Sequence, residues 1–217
     1  MADSTWQILT TAATTVCWGL FGLVWVAGAA YNTRKAPAAR TRSTPSYAWV
    51  VGGVAVWLIF DKVPATAWRW MTVQSSWVRV LGLLVLLVAT PFTLWARAVL
   101  GTMWTSAAVV KDHHALHTEG PYGITRHPIY TGVLGMVLGT ALLNGWGPFG
   151  AVFLVAVLVL ETKIHTEEQL LITSFGEEYE RYRQRVPQLV PTLAPRRRRH
   201  SQAGVARSGA PGCGSDQ

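Results

Sequence analysis

Between Gly120 and Tyr130 the chain reads Gly-Pro-Tyr-Gly-Ile-Thr-Arg-His-Pro-Ile-Tyr, so turn formers, two tyrosines and an Arg-His pair stand immediately before an apolar run. Pro128 biases His127 away from the α region and itself suits the first turn of a helix. Arg126 and His127 are therefore expected at the mouth of a helix that begins near Ile129. Such a mouth carries unsatisfied N–H groups and partial positive charge, which with Arg126 alongside would suit a carboxylate or phosphate. The plainer use of the same pair is a basic anchor at a membrane surface. Farther along, Glu167 and Glu168 form a carboxylate pair, with Lys163 one helical turn earlier. Adjacent acids are ordinarily a solvated face, but this pair follows an apolar run, and ionisable groups at membrane depth are functional candidates. A third cluster, His113-His114-x-x-His117, could supply a general base. It has no fourth ligand at suitable spacing and no cysteine nearby, so no metal is expected.

The elements that must hold these residues belong in a membrane. Half of the 217 residues are apolar and only 14% are charged, too greasy a composition for a soluble domain of this length. The net charge of +8 invites a nucleic-acid partner, but Arg196 to Arg199 and Arg207, less Asp216, supply half of it. No nucleic acid is expected. Cys17 and Cys213 make neither a disulfide framework nor a metal set, and Cys213, fifth from the end, makes no prenylation box.

Residues 4 to 33 carry no formal charge and can cross about 30 Å of hydrocarbon. Cleavage after the Ala27-Gly28-Ala29-Ala30 stretch is the competing reading. The run is long, and Asp3 stands before it with no Lys or Arg, so a retained span is expected. Asn32 to Ser46, with Arg34, Lys35, Arg40 and Arg42, reads as a cytoplasmic loop. Ser43 to Phe60 and Val80 to Ala96 are further uncharged runs, the latter with a kink expected at Pro91. Trp68, Trp70 and Trp77 between them resemble an interfacial belt, and Trp146 is expected on the same outer face.

Ile129 to Leu143 and Pro148 to Leu160 are joined by Asn144-Gly145-Trp146-Gly147, a turn signal that predicts a helical hairpin. Fifteen residues rise only about 22 Å, so the first arm starts below the membrane surface or crosses incompletely. Gly132, Gly135 and Gly139 make a smooth stripe, and close helix packing is the expected use. Leu171, Phe175 and Tyr182 share one face of the polar segment that follows, while Glu177, Glu180, Arg181 and Arg185 cover the other. The expected fold is thus all-α and integral to the membrane: about five transmembrane helices, a C-terminal helical hairpin and a cytoplasmic amphipathic helix. Residues 1–99 would be N-terminal spans, 100–191 the catalytic region, and 192–217 a disordered basic tail that could touch anionic lipid.

Taken together, His114-Ala-Leu-His-Thr-Glu-Gly-Pro-Tyr-Gly-Ile-Thr-Arg-His-Pro-Ile-Tyr-Thr-Gly and Glu167-Glu-Gln-Leu-Leu-Ile-Thr-Ser-Phe-Gly-Glu-Glu-Tyr-Glu-Arg-Tyr-Arg-Gln-Arg-Val-Pro resemble the isoprenylcysteine carboxyl methyltransferase family. The resemblance covers about residues 100 to 191; residues 1 to 99 match only as generic spans. It implies a multi-pass membrane enzyme that uses S-adenosylmethionine without a Rossmann domain. It further implies that His114, Ala115, Leu116, His117 and Tyr122 line the adenosyl half of the cofactor. His127, Pro128, Ile129, Tyr130 and Glu167 would hold the methionyl half, Glu167 pairing with its ammonium. Arg126, Lys163 and Glu168 would serve the reacting end. Lys163 stands where the family usually has an arginine that helps bind the substrate carboxylate, a change that keeps the charge but loses the bidentate fork. The implied acceptor is lipophilic or membrane-embedded, with an isoprenylcysteine-like carboxylate, a small thiol and a lipid head group as the acceptors of such relatives. Two other classes fit the same spans. One is an NADPH-dependent membrane reductase of the sterol reductase type, which shares Arg-His-Pro but continues with Asn-Tyr and a nearby Gly-Glu that this chain lacks; the other is a non-catalytic membrane protein retaining the fold.

Overall fold

The computed structural model describes residues 2–35, 39–42, 47–73, 75–101, 109–111 and 116–190. His113, His114, Ala115 and the tail from residue 191, Cys213 included, lie outside them. The uncharged N-terminal run folds as one helix, α1 (Ala2–Lys35), whose apolar stretch Ser4–Asn32 is long enough to cross a membrane. A short strand β1 (Ala39–Arg42) follows and pairs antiparallel with β2 (Val109–Lys111), so part of the expected loop is a two-stranded ladder. The helix α2 (Ala48–Lys62) stops before Pro64, which forces Val63 into an extended conformation. The chain resumes as a 3₁₀ helix, Ala65–Met71, bent by 102° from α2.

Helix α3 (Ser76–Leu100) runs through Pro91 without interruption and ends at Gly101, where φ is +51°. Thr90 and Thr93 donate their hydroxyls to Leu86 O (2.8 Å) and Ala89 O (2.7 Å), so buried polar groups are satisfied within the helix itself. After one helical turn, α4 (Pro121–Ile124), come α5 (Pro128–Leu143), α6 (Gly147–Phe175) and α7 (Glu177–Arg185). The turn between α5 and α6 holds Trp146 at φ +69° between two glycines. Its amide donates to Ala141 O (2.7 Å), and its indole lies over Gly150, where a Cβ would collide with the ring. Val73 N donates to Gly145 O (2.8 Å), which brings the tryptophan-bearing 3₁₀ segment to the same end of the bundle as Trp146.

The principal seam lies between α3 and α5, more extensive than the contact of α5 with its sequence neighbour α6. Gly132 faces Thr93, Gly135 faces Ala89, and a Cβ at Gly139 would stand 2.7 Å from Leu86 N and 2.8 Å from Gly82 O. The glycine stripe therefore serves close packing, as its smoothness predicts, and its partner is α3. Met136, Leu86, Ala89 and Leu143 fill the seam, with Cys17, Trp18 and Phe21 of α1 against them. Trp18 Nε1 also donates to Thr140 Oγ1 (3.1 Å). Elsewhere large apolar side chains point outward: Ile8, Leu23, Val26, Val88 and Leu158 are each more than 65% exposed. A helix apolar on its outer side is suited to lipid, and this is a multi-pass membrane protein.

The expectation of about five spans needs refining. Among the described residues three helices are long and apolar enough to cross alone, with α2 and its bent continuation as a further broken span. Helix α5 is a shorter apolar helix of 16 residues, in line with the incomplete crossing that its length predicts. The amphipathic segment is also divided differently: α6 continues from Gly147 without a break through Glu167 and Glu168 to Phe175, and only Gly176 (φ +52°) separates α7. Nothing between Leu160 and Phe175 breaks an α-helix, so polar composition alone did not end the span.

Candidate active site

Gly120, at φ +59°, turns the chain into Pro121, and the single turn of α4 buries Tyr122. The Tyr122 hydroxyl donates to Ala96 O of α3 (3.4 Å), and the Tyr122 carbonyl accepts from the Tyr182 hydroxyl (2.7 Å). Thr125 and His127 are non-helical, as a residue before proline should be, and Pro128 opens α5. This end of α5 lies opposite the Trp146 turn.

The helix mouth has a neighbour that its local sequence does not show. Val186 leaves α7 in an extended conformation, and Pro187 prevents the helix from continuing. The strap that results lies beside the mouth: Arg126 N donates to Pro187 O (2.8 Å), His127 N to Gln188 O (3.1 Å), and Thr131 Oγ1 to Leu189 O (2.8 Å). The amides of Arg126 and His127, just ahead of the helix, are thus bonded to the chain itself.

Arg126 is clamped. Its Nε and Nη2 meet Glu168 Oε1 at 2.9 and 2.7 Å, while Nη1 donates to Val186 O (2.8 Å) and Arg183 O (3.2 Å). Glu168 Oε1 also lies 3.3 Å from His127 Nε2, and Arg183 Nε approaches Oε2 at 3.9 Å. The Arg126–Glu168 pair is buried on both sides, with side chains 8% and 12% exposed. Its geometry joins α6, α7 and the mouth of α5, a positioning role.

Glu167 does something else. Consecutive helical residues point about 100° apart, so the two acids meet different partners apart from His127, which lies between them. Glu167 Oε1 accepts from the Tyr130 hydroxyl (2.6 Å) and lies 3.2 Å from Lys163 Nζ; its Oε2 faces His127 Nδ1 at 3.8 Å. The rings of His127 and Tyr130 stack, 5.8 Å apart and 12° from parallel. Pro128 and Ile129 are buried, so they contribute packing.

Leu116 packs on the cluster of Tyr179, Tyr182 and Val186, with Phe175 beside it. The ring of His117 stands 6.4 Å from that of Tyr122. Leu171, Phe175 and Tyr182 share this cluster, while Glu177, Arg181 and Arg185 are exposed, as the amphipathic pattern predicts. Burial raises the phenol pKa of Tyr122, Tyr179 and Tyr182, so these rings stay neutral. Among the described residues no group of acids, histidines or cysteines is arranged to hold a metal ion.

Of the residues singled out by sequence, the structure brings Arg126, His127, Tyr130, Lys163, Glu167 and Glu168 into one network, with Tyr122, His117 and Leu116 beside it. Sequence reasoning missed the strap from Val186 to Leu189 and the carbonyls that hold Arg126. The signal was Val186-Pro187 itself, which ends a helix and forces an extended segment.

Residues 77–178 match the model of the phospholipid methyltransferase family. Over 86 residues the chain is 38% identical to the protein-S-isoprenylcysteine O-methyltransferase of Schizosaccharomyces pombe, covering 38% of this chain and 35% of that protein. Over 122 residues it is 33% identical to protein-S-isoprenylcysteine O-methyltransferase B of Arabidopsis thaliana, covering 54% of this chain and 61% of the relative. A solved eukaryotic intramembrane Ras methyltransferase, an isoprenylcysteine carboxyl methyltransferase, matches 67% of this chain and 51% of its own, with a TM-score of 0.49 and 24% identity. The curated relatives carry the name of the family that the two motif blocks resemble, and the family-model match takes in α3, α5, α6 and the start of α7. The chain spans about a third to three fifths of the length of these curated relatives.

Proposed function

We propose that this chain is an integral-membrane methyltransferase, with S-adenosylmethionine as methyl donor and a lipophilic, membrane-dissolved acceptor. The observation that carries the reading is Glu167: a largely buried carboxylate whose Oε1 is fixed by Tyr130 and Lys163, leaving Oε2 turned to the His127 ring at 3.8 Å. That arrangement fits the amino-acid end of the donor. A carboxylate oxygen beyond hydrogen-bond distance of its neighbour can accept from an ammonium, and stacked aromatic faces suit a sulfonium. Tyr122, His117 and Leu116 would receive the adenosyl end.

The bound donor supplies a methyl group on an electrophilic sulfonium. Held by Glu167 beside the His127 and Tyr130 rings, that donor would supply its methyl to a carboxylate acceptor, with sulfur keeping the electron pair of the broken carbon–sulfur bond. A carboxylate is already ionised, so the protein need supply no base; its work is alignment and exclusion of water. Glu167 orients the donor, Tyr130 and Lys163 hold Glu167, and the Arg126–Glu168 clamp keeps α5 and α6 in register around the site. A thiol acceptor would require a base, for which His117 is the described candidate.

The reading includes an orientation. Arg97, near the end of α3 that meets Tyr122, lies against Gly28 of α1. The basic segment after α1 is thus at the site end, while Trp70 and Trp77 are exposed toward the other. A basic loop beside the site supports a cytoplasmic active site in the cell membrane. Residues 100–191 form the catalytic region in this proposal, with residues 1–99 as its membrane support and 192–217 as a basic tail.

The test is calorimetric binding of S-adenosylmethionine to detergent-purified protein, set against NADPH and repeated with Glu167→Ala. Micromolar donor binding that the substitution abolishes supports the proposal. Binding of NADPH alone, or of neither ligand, overturns it.

A further inference from the structure

Two tyrosines of α7 lie in one cluster and differ in what their hydroxyls meet. Both are buried, Tyr179 at 1% exposure and Tyr182 at 3%, and their rings stand 5.9 Å apart. The Tyr182 hydroxyl donates to Tyr122 O at 2.7 Å, whereas the enclosed Tyr179 hydroxyl has no hydrogen-bond partner among the described residues. A buried hydroxyl without an acceptor costs stability, and phenylalanine would fill the same space without that cost. Charge is close at hand. Burial raises the Tyr179 phenol pKa, the neighbouring Glu168 carboxylate raises it further, and Arg126 opposes them. Tyr179 therefore stands against the Arg126–Glu168 pair and falls short of bonding to it.

The carboxylate that it faces is unevenly loaded. Glu168 Oε1 meets Arg126 Nε at 2.9 Å, Arg126 Nη2 at 2.7 Å and His127 Nε2 at 3.3 Å, while Oε2 has Arg183 Nε at 3.9 Å. An ionised carboxylate offers about four acceptor directions over two oxygens, so Oε2 has capacity that Oε1 has used. His127 connects this imbalance to the ligand side, because its Nδ1 faces Glu167 Oε2 at 3.8 Å.

We propose that Tyr179 is a positioning residue for the donor-bound state: an ammonium on Glu167 Oε2 moves the His127 ring onto Glu168 Oε1, the crowded carboxylate turns, and its Oε2 accepts from the Tyr179 hydroxyl. The inference rests on the methyltransferase reading above and deepens it by adding a residue that acts on the donor through Glu168 and His127. A bond made only in the bound state contributes to donor affinity and not to the stability of the empty protein, because a ligand shifts an equilibrium only by interactions that differ between the two states. That explains an idle hydroxyl at a position where a phenyl ring would pack as well.

The test is calorimetric binding of S-adenosylhomocysteine, which keeps the amino-acid end of the donor, to the full chain in detergent. Thermal unfolding is measured with and without it for wild type, Tyr179→Phe and Tyr182→Phe. Tyr179→Phe should melt at or above the wild-type temperature when empty, yet bind about ten-fold more weakly, the order expected for one hydrogen bond to a charged group. Tyr182→Phe, which loses the bond to Tyr122 O, should melt lower when empty. A purely structural role for Tyr179 would move stability and affinity in the same direction. Wild-type affinity in Tyr179→Phe overturns the proposal, and so does a lower melting temperature of the empty variant, which would mean that the hydroxyl is already engaged without a ligand. A second arm needs no variant: in the structure of the wild-type complex with S-adenosylhomocysteine, Tyr179 Oη is expected within hydrogen-bond distance of Glu168 Oε2, and a hydroxyl that does not reach Glu168 there overturns the proposal. Wild-type protein that binds no S-adenosylhomocysteine overturns the methyltransferase reading first, and this inference with it.

Discussion

The α3–α5 seam and the polar headpiece hold the same helices by opposite means. In the seam, stability comes from what is missing: Gly82, Gly132, Gly135 and Gly139 have no side chains, so two backbones meet at distances that a single Cβ would violate. In the headpiece it comes from charge: Arg126, His127, Lys163, Glu167 and Glu168 are buried or nearly so, and each is tied to another. A seam of backbones has one arrangement. A network of ion pairs can rearrange, which suits it to the candidate site and would be a fault in the scaffold.

The largest expected effect breaks the headpiece alone. Glu168→Ala leaves the buried Arg126 guanidinium without its carboxylate, a loss of about 3–5 kcal/mol for a broken buried pair. Donor binding measured by calorimetry should vanish while helical content by circular dichroism is retained; if binding survives, Glu168 is not the positioning group. Gly139→Leu attacks the other side of the comparison. Overpacking at a backbone contact should cost about 3 kcal/mol, and thermal unfolding in detergent should fall with donor binding, since α5 carries His127 and Tyr130. A melting temperature equal to wild type would mean that the seam is looser than its backbone distances require.

Two smaller changes sharpen the contrast. Tyr130→Phe removes the 2.6 Å hydrogen bond to Glu167. A bond to a charged group contributes about 1.5–3 kcal/mol, so donor affinity should weaken by at least about ten-fold with little change in melting temperature. Trp18→Phe removes the bond to Thr140 between α1 and α5 and keeps an aromatic ring, though a smaller one, against the core. Interhelical bonds of this kind average about 0.6 kcal/mol, so a slight loss of thermal stability and unchanged donor affinity are expected. A marked loss of donor binding in that variant would show that α1 is coupled to the site.

The difference between the two regions also governs what could be read in advance. The glycine stripe was legible because a bare face on an apolar helix has one ordinary use, and the structure puts it to that use. Its partner was not, since the turn after Leu143 favours α6 as the neighbour, while the match of Gly82 to Gly139 depends on a fold that brings α3 alongside. In the headpiece, Arg126, His127 and the glutamate pair were legible as charges that an apolar neighbourhood would not tolerate without a purpose. Their division of labour was hidden. Glu168 serves Arg126 across 42 positions of sequence, and Glu167 serves Tyr130 across 37. The strap beside the helix mouth was the instructive miss: a segment distant in sequence takes the Arg126 and His127 amides just ahead of α5, which local rules do not show.

The sequence by itself determined that this chain spans a membrane, where its helices begin and end at proline and glycine, and that two motif blocks carry its chemistry. These follow from local physics: hydrocarbon demands internally satisfied backbones, and proline and glycine restrict or release φ without reference to distant residues. Only the tertiary structure decided which partners each carboxylate meets. Neighbouring glutamates are chemically identical in sequence, and they acquire different surroundings only when folding gives Glu168 an arginine clamp and Glu167 a tyrosine and a lysine, with His127 between them.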